Sequence, residues 1–101
     1  MSRNLIPDSI LEECARRFKL LSETVRLQLI NQLYAHGEMT VQQLVDATGH
    51  QQANVSKHLL MMAREGFLDR RKEGLNVFYS LSNPAVPGIC LLVASCLEWS
   101  D

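Results

Sequence analysis

The chain has no excess of basic charge, no long apolar run, no cysteine framework, no internal repeat and no low-complexity tract. Each absence narrows the reading. With a formal net charge of -1, any affinity for nucleic acid has to come from how the charge is distributed rather than from its sum. The most apolar run, Ala85 to Trp99, is interrupted by Pro87 and Gly88 and is shorter than the ~20 residues of a membrane span. At the N-terminus, Met1-Ser2-Arg3-Asn4 leads straight into a short Leu5-Ile6-Pro7 segment, which is not a secretory signal, so a cytoplasmic location without a membrane is expected. Three cysteines, an odd number, do not imply disulfide pairing. Catalysis is not expected either. Cys14 with His36 or His50 is the only nucleophile-and-base set, and nothing in their spacing supports it. What remains is one globular domain spanning residues 1–101, with a core modest enough that dimerisation would help it.

The stretch Thr40 to Gly66 organises the rest. Thr40 is placed to cap a short helix whose apolar stripe is Val41, Leu44, Val45 and Ala47. Thr48-Gly49-His50 breaks that pattern, with Gly49 where the chain must turn sharply. A second helix then carries Val55, Leu59, Met62 and Ala63 on its apolar side and ends at Gly66. Two helices joined by a short Gly-containing turn read as a helix-turn-helix. Gln51, Gln52, Asn54, Ser56, Lys57 and His58 crowd the first half of the second helix. Gln and Asn can bond adenine edges in pairs, Ser reaches bases or phosphates, and Lys neutralises phosphate. An ordinary solvated helix face is the competing reading.

In chain order, a first helix is expected from about Asp8 to Leu20, capped by Asp8 or Ser9, with Ile10, Leu11, Cys14, Phe18 and Leu21 on its buried stripe. Ser22 is expected to cap the next helix, which Val25, Leu27, Leu29, Ile30 and Leu33 fill and His36-Gly37 close. After Gly66 the period becomes alternating: residues 67–72 and 77–81 flank Glu73-Gly74-Leu75-Asn76, which reads as a two-stranded hairpin. Its basic residues Arg70, Arg71 and Lys72 would reach phosphates or the minor groove. Residues 51–80 as a whole are net positive. Ser82-Asn83-Pro84 then caps a last helix running to about Trp99.

Three pieces in this order resemble the ArsR/SmtB winged-helix repressors: LSETVRLQLINQL, then TVQQLVDATGHQQANVSKHLLMMAREGFL, then RRKEGLNVFYSL. Within them V-S-K-H-L followed by E-G-F-L is the most specific, and the resemblance is close over residues 17 to 82. It implies a mainly α fold with a small β-hairpin, a winged helix-turn-helix of order α1-α2-α3-α4-β-β-α5 that dimerises through its first and last helices. It further implies a homodimeric repressor that binds a double-stranded DNA operator and leaves it when an inducer binds. The matching base-contacting positions would be Gln52, Ala53, Asn54, Ser56 and Lys57, with His58, Arg70, Arg71 and Lys72 on the DNA backbone. Ala53 and Asn54 depart from the commoner Ser-Ala pair, which bears on operator preference. A winged helix used only for protein contacts is the other class of function.

The inducer is not written in the motifs. Family members with a Cys-x-Cys in the first motif helix bind arsenite there, but this chain has Val41-Gln42-Gln43. Members that bind zinc between paired C-terminal helices need histidines that Asn83 to Trp99 does not offer. Cys14, Cys90 and Cys96 remain. Cys90 and Cys96 lie about 120° apart around their helix and cannot chelate one ion from it. Cys90 shares a stripe with Val86, Val93 and Leu97, and Cys96 shares one with Ile89, Leu92 and Trp99, so the helix is apolar on two faces. Three readings stay open. The thiols oxidise or take up sulfane sulfur, they bind a soft metal or metalloid, or they are small core hydrophobes.

Overall fold

A computed structural model describes residues 4–98. A 3-10 turn at Asp8–Ile10 leads into α1 (Leu11–Leu20), followed by α2 (Thr24–His36), β1 (Met39–Thr40), α3 (Val41–Thr48), α4 (Gln52–Arg64), β2 (Leu68–Glu73), β3 (Asn76–Leu81) and α5 (Ala85–Glu98). The expected helices and hairpin are all present. Trp99, the expected end of the last helix and a member of its second stripe, lies outside the described residues.

Local chemistry sets most boundaries. Thr40 Oγ1 accepts from the Gln43 N–H at 3.2 Å while Gln43 Oε1 accepts from the Thr40 N–H at 2.9 Å, so both orphan donors at the start of α3 are satisfied reciprocally. Gly49 ends α3 in the left-handed conformation, φ 77°, with its N–H on the Val45 carbonyl at 2.9 Å. That conformation is the one that lets α4 restart at an angle. The end of α4 is a Schellman motif: Phe67 N–H bonds the Met62 carbonyl, and Gly66 N–H bonds that of Ala63. Between β2 and β3, Glu73 pairs with Asn76 across a two-residue turn. Gly74 alone has positive φ there, the II′ arrangement that suits the right-handed twist of a hairpin.

Four expectations change. The first α-helix starts at Leu11 behind the 3-10 turn, with Ile10 at its N-cap position and no side chain bonded there, so neither Asp8 nor Ser9 caps it. The hairpin is part of a three-stranded sheet of order β1-β3-β2, because Met39 and Thr40 pair antiparallel with Tyr79 and Phe78. Ser22 does not cap α2; its hydroxyl donates back to the Lys19 carbonyl at 2.6 Å and closes α1 instead, leaving Glu23 at the N-cap position. In the predicted Ser82-Asn83-Pro84 cap, Asn83 Oδ1 accepts from the Ala85 N–H at 2.8 Å, whereas Ser82 bonds the Gly66 carbonyl and ties the hairpin base to the end of α4.

The core lies where α2, α3 and α4 meet the sheet. Leu29, Leu33, Leu44, Val55, Leu59 and Met62 are fully buried, and Ile30, Phe67, Leu68, Tyr79 and Val86 close around them. Each fully buried apolar side chain is worth about 1.5–3 kcal/mol relative to exposure, so this cluster fixes the angle between the motif helices. By contrast, Ile10 in the 3-10 turn, Leu11 and Phe18 on α1 and Leu91, Leu92, Val93 and Leu97 on α5 are exposed, so of the expected buried stripe of the first helix the chain itself covers only Leu21 and, in part, Cys14. The first helix therefore carries an apolar stripe that one copy of the chain leaves uncovered.

Candidate nucleic-acid interface

The buried stripe of α4 decides what its other side presents. Val55, Leu59 and Met62 point into the core, which leaves Gln52, Ala53, Asn54 and Lys57 exposed and Ser56 half-buried. Among the described residues, nothing engages the side chains of Gln51, Gln52, Asn54, Ser56 or Lys57. No side chain caps the α4 N-terminus either, so its first N–H groups face the same way, as an anion would require. Behind this end, Gln28 of α2 and His50 of the turn share a 2.6 Å hydrogen bond that braces the α3–α4 turn.

His58 does not join this face. It is 6% exposed, and its Nδ1 accepts from Arg26 Nε at 3.0 Å. The expectation that it holds DNA phosphate is corrected: it is a buried partner of α2. The sequence held the signal, since His58 follows Val55 by three and precedes Met62 by four, on the apolar stripe. Burial and the neighbouring Arg26 cation hold its pKa below the usual 6.5.

The hairpin sorts its basic residues by alternation. Arg70 pairs with Tyr79 and Lys72 with Val77, on the face that Leu68 and Tyr79 turn towards the core, and near the tip both are exposed. Arg71 is on the opposite face. Its Nε and Nη2 donate to the two Glu38 carboxylate oxygens at 2.9 and 2.7 Å, its Nη1 donates to Glu73 at 2.6 Å, and its guanidinium stacks 4.6 Å over Phe78. Those bonds hold the Glu38 carboxyl below its usual range. Arg71 is thus spent on anchoring the wing to the segment before β1, which corrects the expectation that all three cations are free for DNA.

Among the described residues, the first half of α4 is polar and unpartnered and the hairpin that follows carries two unpaired cations, the arrangement of a winged helix that docks on duplex DNA. The family model for bacterial regulatory protein, arsR family, matches residues 23–70. Over 83 residues the chain is 37% identical to the transcriptional repressor PagR of Bacillus anthracis, covering 82% of this chain and 83% of PagR. The chain belongs to the ArsR family of bacterial regulatory proteins. It is a DNA-binding transcriptional regulator and not an enzyme. Among solved structures, the AntR antimony-specific transcriptional repressor superposes with a TM-score of 0.85 at 28% identity, covering 99% of this chain and 90% of AntR. The homodimeric winged helix-turn-helix DNA-binding domain of a Mycobacterium bovis regulator does so at 0.79 and 26% identity, covering 97% of this chain and 90% of the other.

In this ArsR-family protein the three thiols do not gather within one subunit. Cys14 lines a cavity of about 290 Å³ with Phe18, Phe67, Val86 and Ile89. Cys90 lines another, of about 500 Å³, between α2 and α5 with Ile30, Tyr34 and Pro87. Cys96 is exposed among the uncovered leucines of α5. Burial pushes the Cys90 thiol above its ordinary pKa, which makes it a poorer nucleophile. Among the described residues, no three His, Cys, Asp or Glu side chains are grouped to hold a metal ion, and no helix is long and apolar enough to cross a membrane.

One further link was invisible in the motifs. Arg16 pairs with both Glu13 and Glu65, Arg17 donates to the Glu65 carbonyl at 3.0 Å, and the Arg17 guanidinium lies 5.7 Å from the Phe67 ring centre. These bonds clip α1 to the C-terminal end of α4.

Proposed function

We propose that residues 1–101 act as one winged-helix domain that forms a cytoplasmic homodimer and represses transcription by occupying a double-stranded operator. Gln52, Ala53, Asn54, Ser56 and Lys57 enter the major groove, the Lys57 ammonium also neutralising a phosphate at its edge, while Arg70 and Lys72 hold the backbone beside it. The observation that carries this reading is the set of unengaged polar side chains on the first half of α4. Burying amides and an ammonium without partners is costly, and base edges and phosphates supply the partners. The exposed apolar residues of α1 and α5 pair across the twofold; the similar M. bovis domain is homodimeric. Half-sites about one helical turn apart follow from that symmetry.

The release signal is assigned to thiols at the α1–α5 face. Cys14 and Cys96 serve better than Cys90, whose thiol is held protonated by burial. Two thiols give up two protons and two electrons to a disulfide or polysulfide oxidant and join as one S–S bond, which re-sets the dimer. A disulfide needs two sulfurs, and the described residues of one subunit present no three-ligand group. A soft metal or metalloid held by thiols of both subunits is the second reading, favoured by the similarity to antimony-specific AntR.

The test is fluorescence anisotropy on duplex DNA from immediately upstream of the gene, with reduced protein and again after a mild polysulfide. Tight, salt-sensitive binding that is lost on oxidation, restored by reductant and made insensitive by Cys14→Ser or Cys96→Ser is expected. Binding indifferent to oxidant but lost with antimonite selects the metalloid. Weak binding to every sequence refutes the repressor reading and favours a protein-contact module.

A further inference from the structure

Arg26 in LSETVRLQLINQL and His58 in VSKHL, 32 residues apart, meet in the interior. Arg26 is 5% exposed. Its Nε donates to His58 Nδ1 at 3.0 Å, its Nη1 donates to the Leu20 carbonyl at 2.7 Å, and its Nη2 lies 2.9 Å from Met61 Sδ. One guanidinium therefore joins the end of α1, the start of α2 and two residues of α4. Glu23 is the acid at this site, 3.6 Å from Arg26 Nη2 and 3.8 Å from His58 Nδ1, on the half-exposed side.

The chemistry of the contact is one-directional. A guanidinium only donates and does not lose its proton. His58 Nδ1 must therefore accept, and the imidazole proton is on Nε2. Protonating His58 places N–H against N–H and a second cation beside the first in a site that solvent barely reaches. The titratable and charged groups around the ring are Arg26 on α2, Glu23 at the mouth of α2, Lys57 on α4 and His50 in the α3–α4 turn. Only Glu23 favours the charged imidazole; Arg26, Lys57, His50 and burial oppose it.

We propose that Arg26 and His58 are positioning residues for operator binding: their buried hydrogen bond seats the recognition helix, and the seat holds only while His58 is neutral. On acidification Nδ1 turns from acceptor to donor and exchanges Arg26 for Glu23, and α4 loses this buried tie to α2, while the Arg16 and Arg17 bonds to Glu65 still hold its C-terminal end to α1. This rests on the reading that α4 enters the major groove. The sign is diagnostic. Added positive charge ordinarily strengthens DNA binding, whereas protonating His58 weakens it.

The experiment measures anisotropy of a labelled duplex from immediately upstream of the gene, with the full chain, from about pH 8 to about pH 5.5 at constant ionic strength. Wild type is compared with His58→Asn, which keeps an acceptor near the Nδ1 position and does not titrate. Wild-type affinity is expected to fall on the acid side, by at most about tenfold per pH unit below the His58 pKa, one proton's worth. His58→Asn is expected to stay level or rise. Coincident profiles for the two proteins overturn the proposal, as does a wild-type fall that tracks loss of helical circular dichroism. Should His58→Asn not fold, NMR on wild type decides: the His58 ring titration must move α4 amide signals with it, and a ring that titrates alone overturns the seat. No binding by wild type at any pH, with those amides still coupled to the ring, refutes the DNA reading instead.

Discussion

The salt dependence of operator binding tests the sorting of the wing cations. Every phosphate neutralised by a side chain releases condensed counterions, and the slope of log affinity against log salt counts them. Lys57, Arg70 and Lys72 are exposed and unengaged among the described residues, whereas Arg71 is held by Glu38 and Glu73. A homodimer doubles each contact. With about 0.9 of slope per phosphate, three free cations per subunit give a slope of about -5.4, and a fourth would take it to about -7.2. The smaller slope already means a loss of about a thousandfold in affinity between about 50 and about 200 mM salt. Arg70→Ala should flatten the slope by about 1.8, because the substitution occurs twice per operator. Arg71→Ala should leave the slope nearly unchanged and weaken binding at all salt concentrations alike, since the wing loses its anchor and no phosphate contact. Anisotropy titrations at four salt concentrations supply the slopes. Equal flattening by the two variants, or none by Arg70→Ala, would refute the assignment of faces.

Two further outcomes follow from the same geometry. Asn54→Ala should relax base preference at one position per half-site by about 1–3 kcal/mol with little change in salt slope, read by competition with operators mutated base by base; an unchanged preference removes Asn54 from the reading set. Leu92→Glu puts a charge on the exposed apolar face of α5 and should yield monomers by sedimentation at micromolar concentration, with operator affinity falling accordingly, whereas a dimer of wild-type stability would place the interface elsewhere.

Much of this protein is local, and what is local was legible in the sequence. The caps at Thr40 and Asn83, the glycines at 49, 66 and 74, and the switch from helical to alternating period act over a few residues, so element order and the helix-turn-helix follow from the sequence alone. The polar first half of α4 was legible for the same reason. Once Val55, Leu59 and Met62 turn inward, the residues between them turn outward. His58 shows where residue type misled, because its spacing placed it on the buried stripe while its polarity suggested the surface.

Partners distant in sequence were decided only by the tertiary structure. Arg26 reaches His58 across 32 residues and Arg71 reaches Glu38 across 33, and no periodicity encodes which cation meets which acceptor. The third strand depends on Met39 and Thr40 arriving beside β3. The cysteines were likewise placed by packing: α5 sends Cys90 to the α2 side while Cys14 sits in the cavity on α1's side. Local rules fix a residue's backbone and face; its partner depends on which surfaces the core brings together, and that is a property of the whole packed chain.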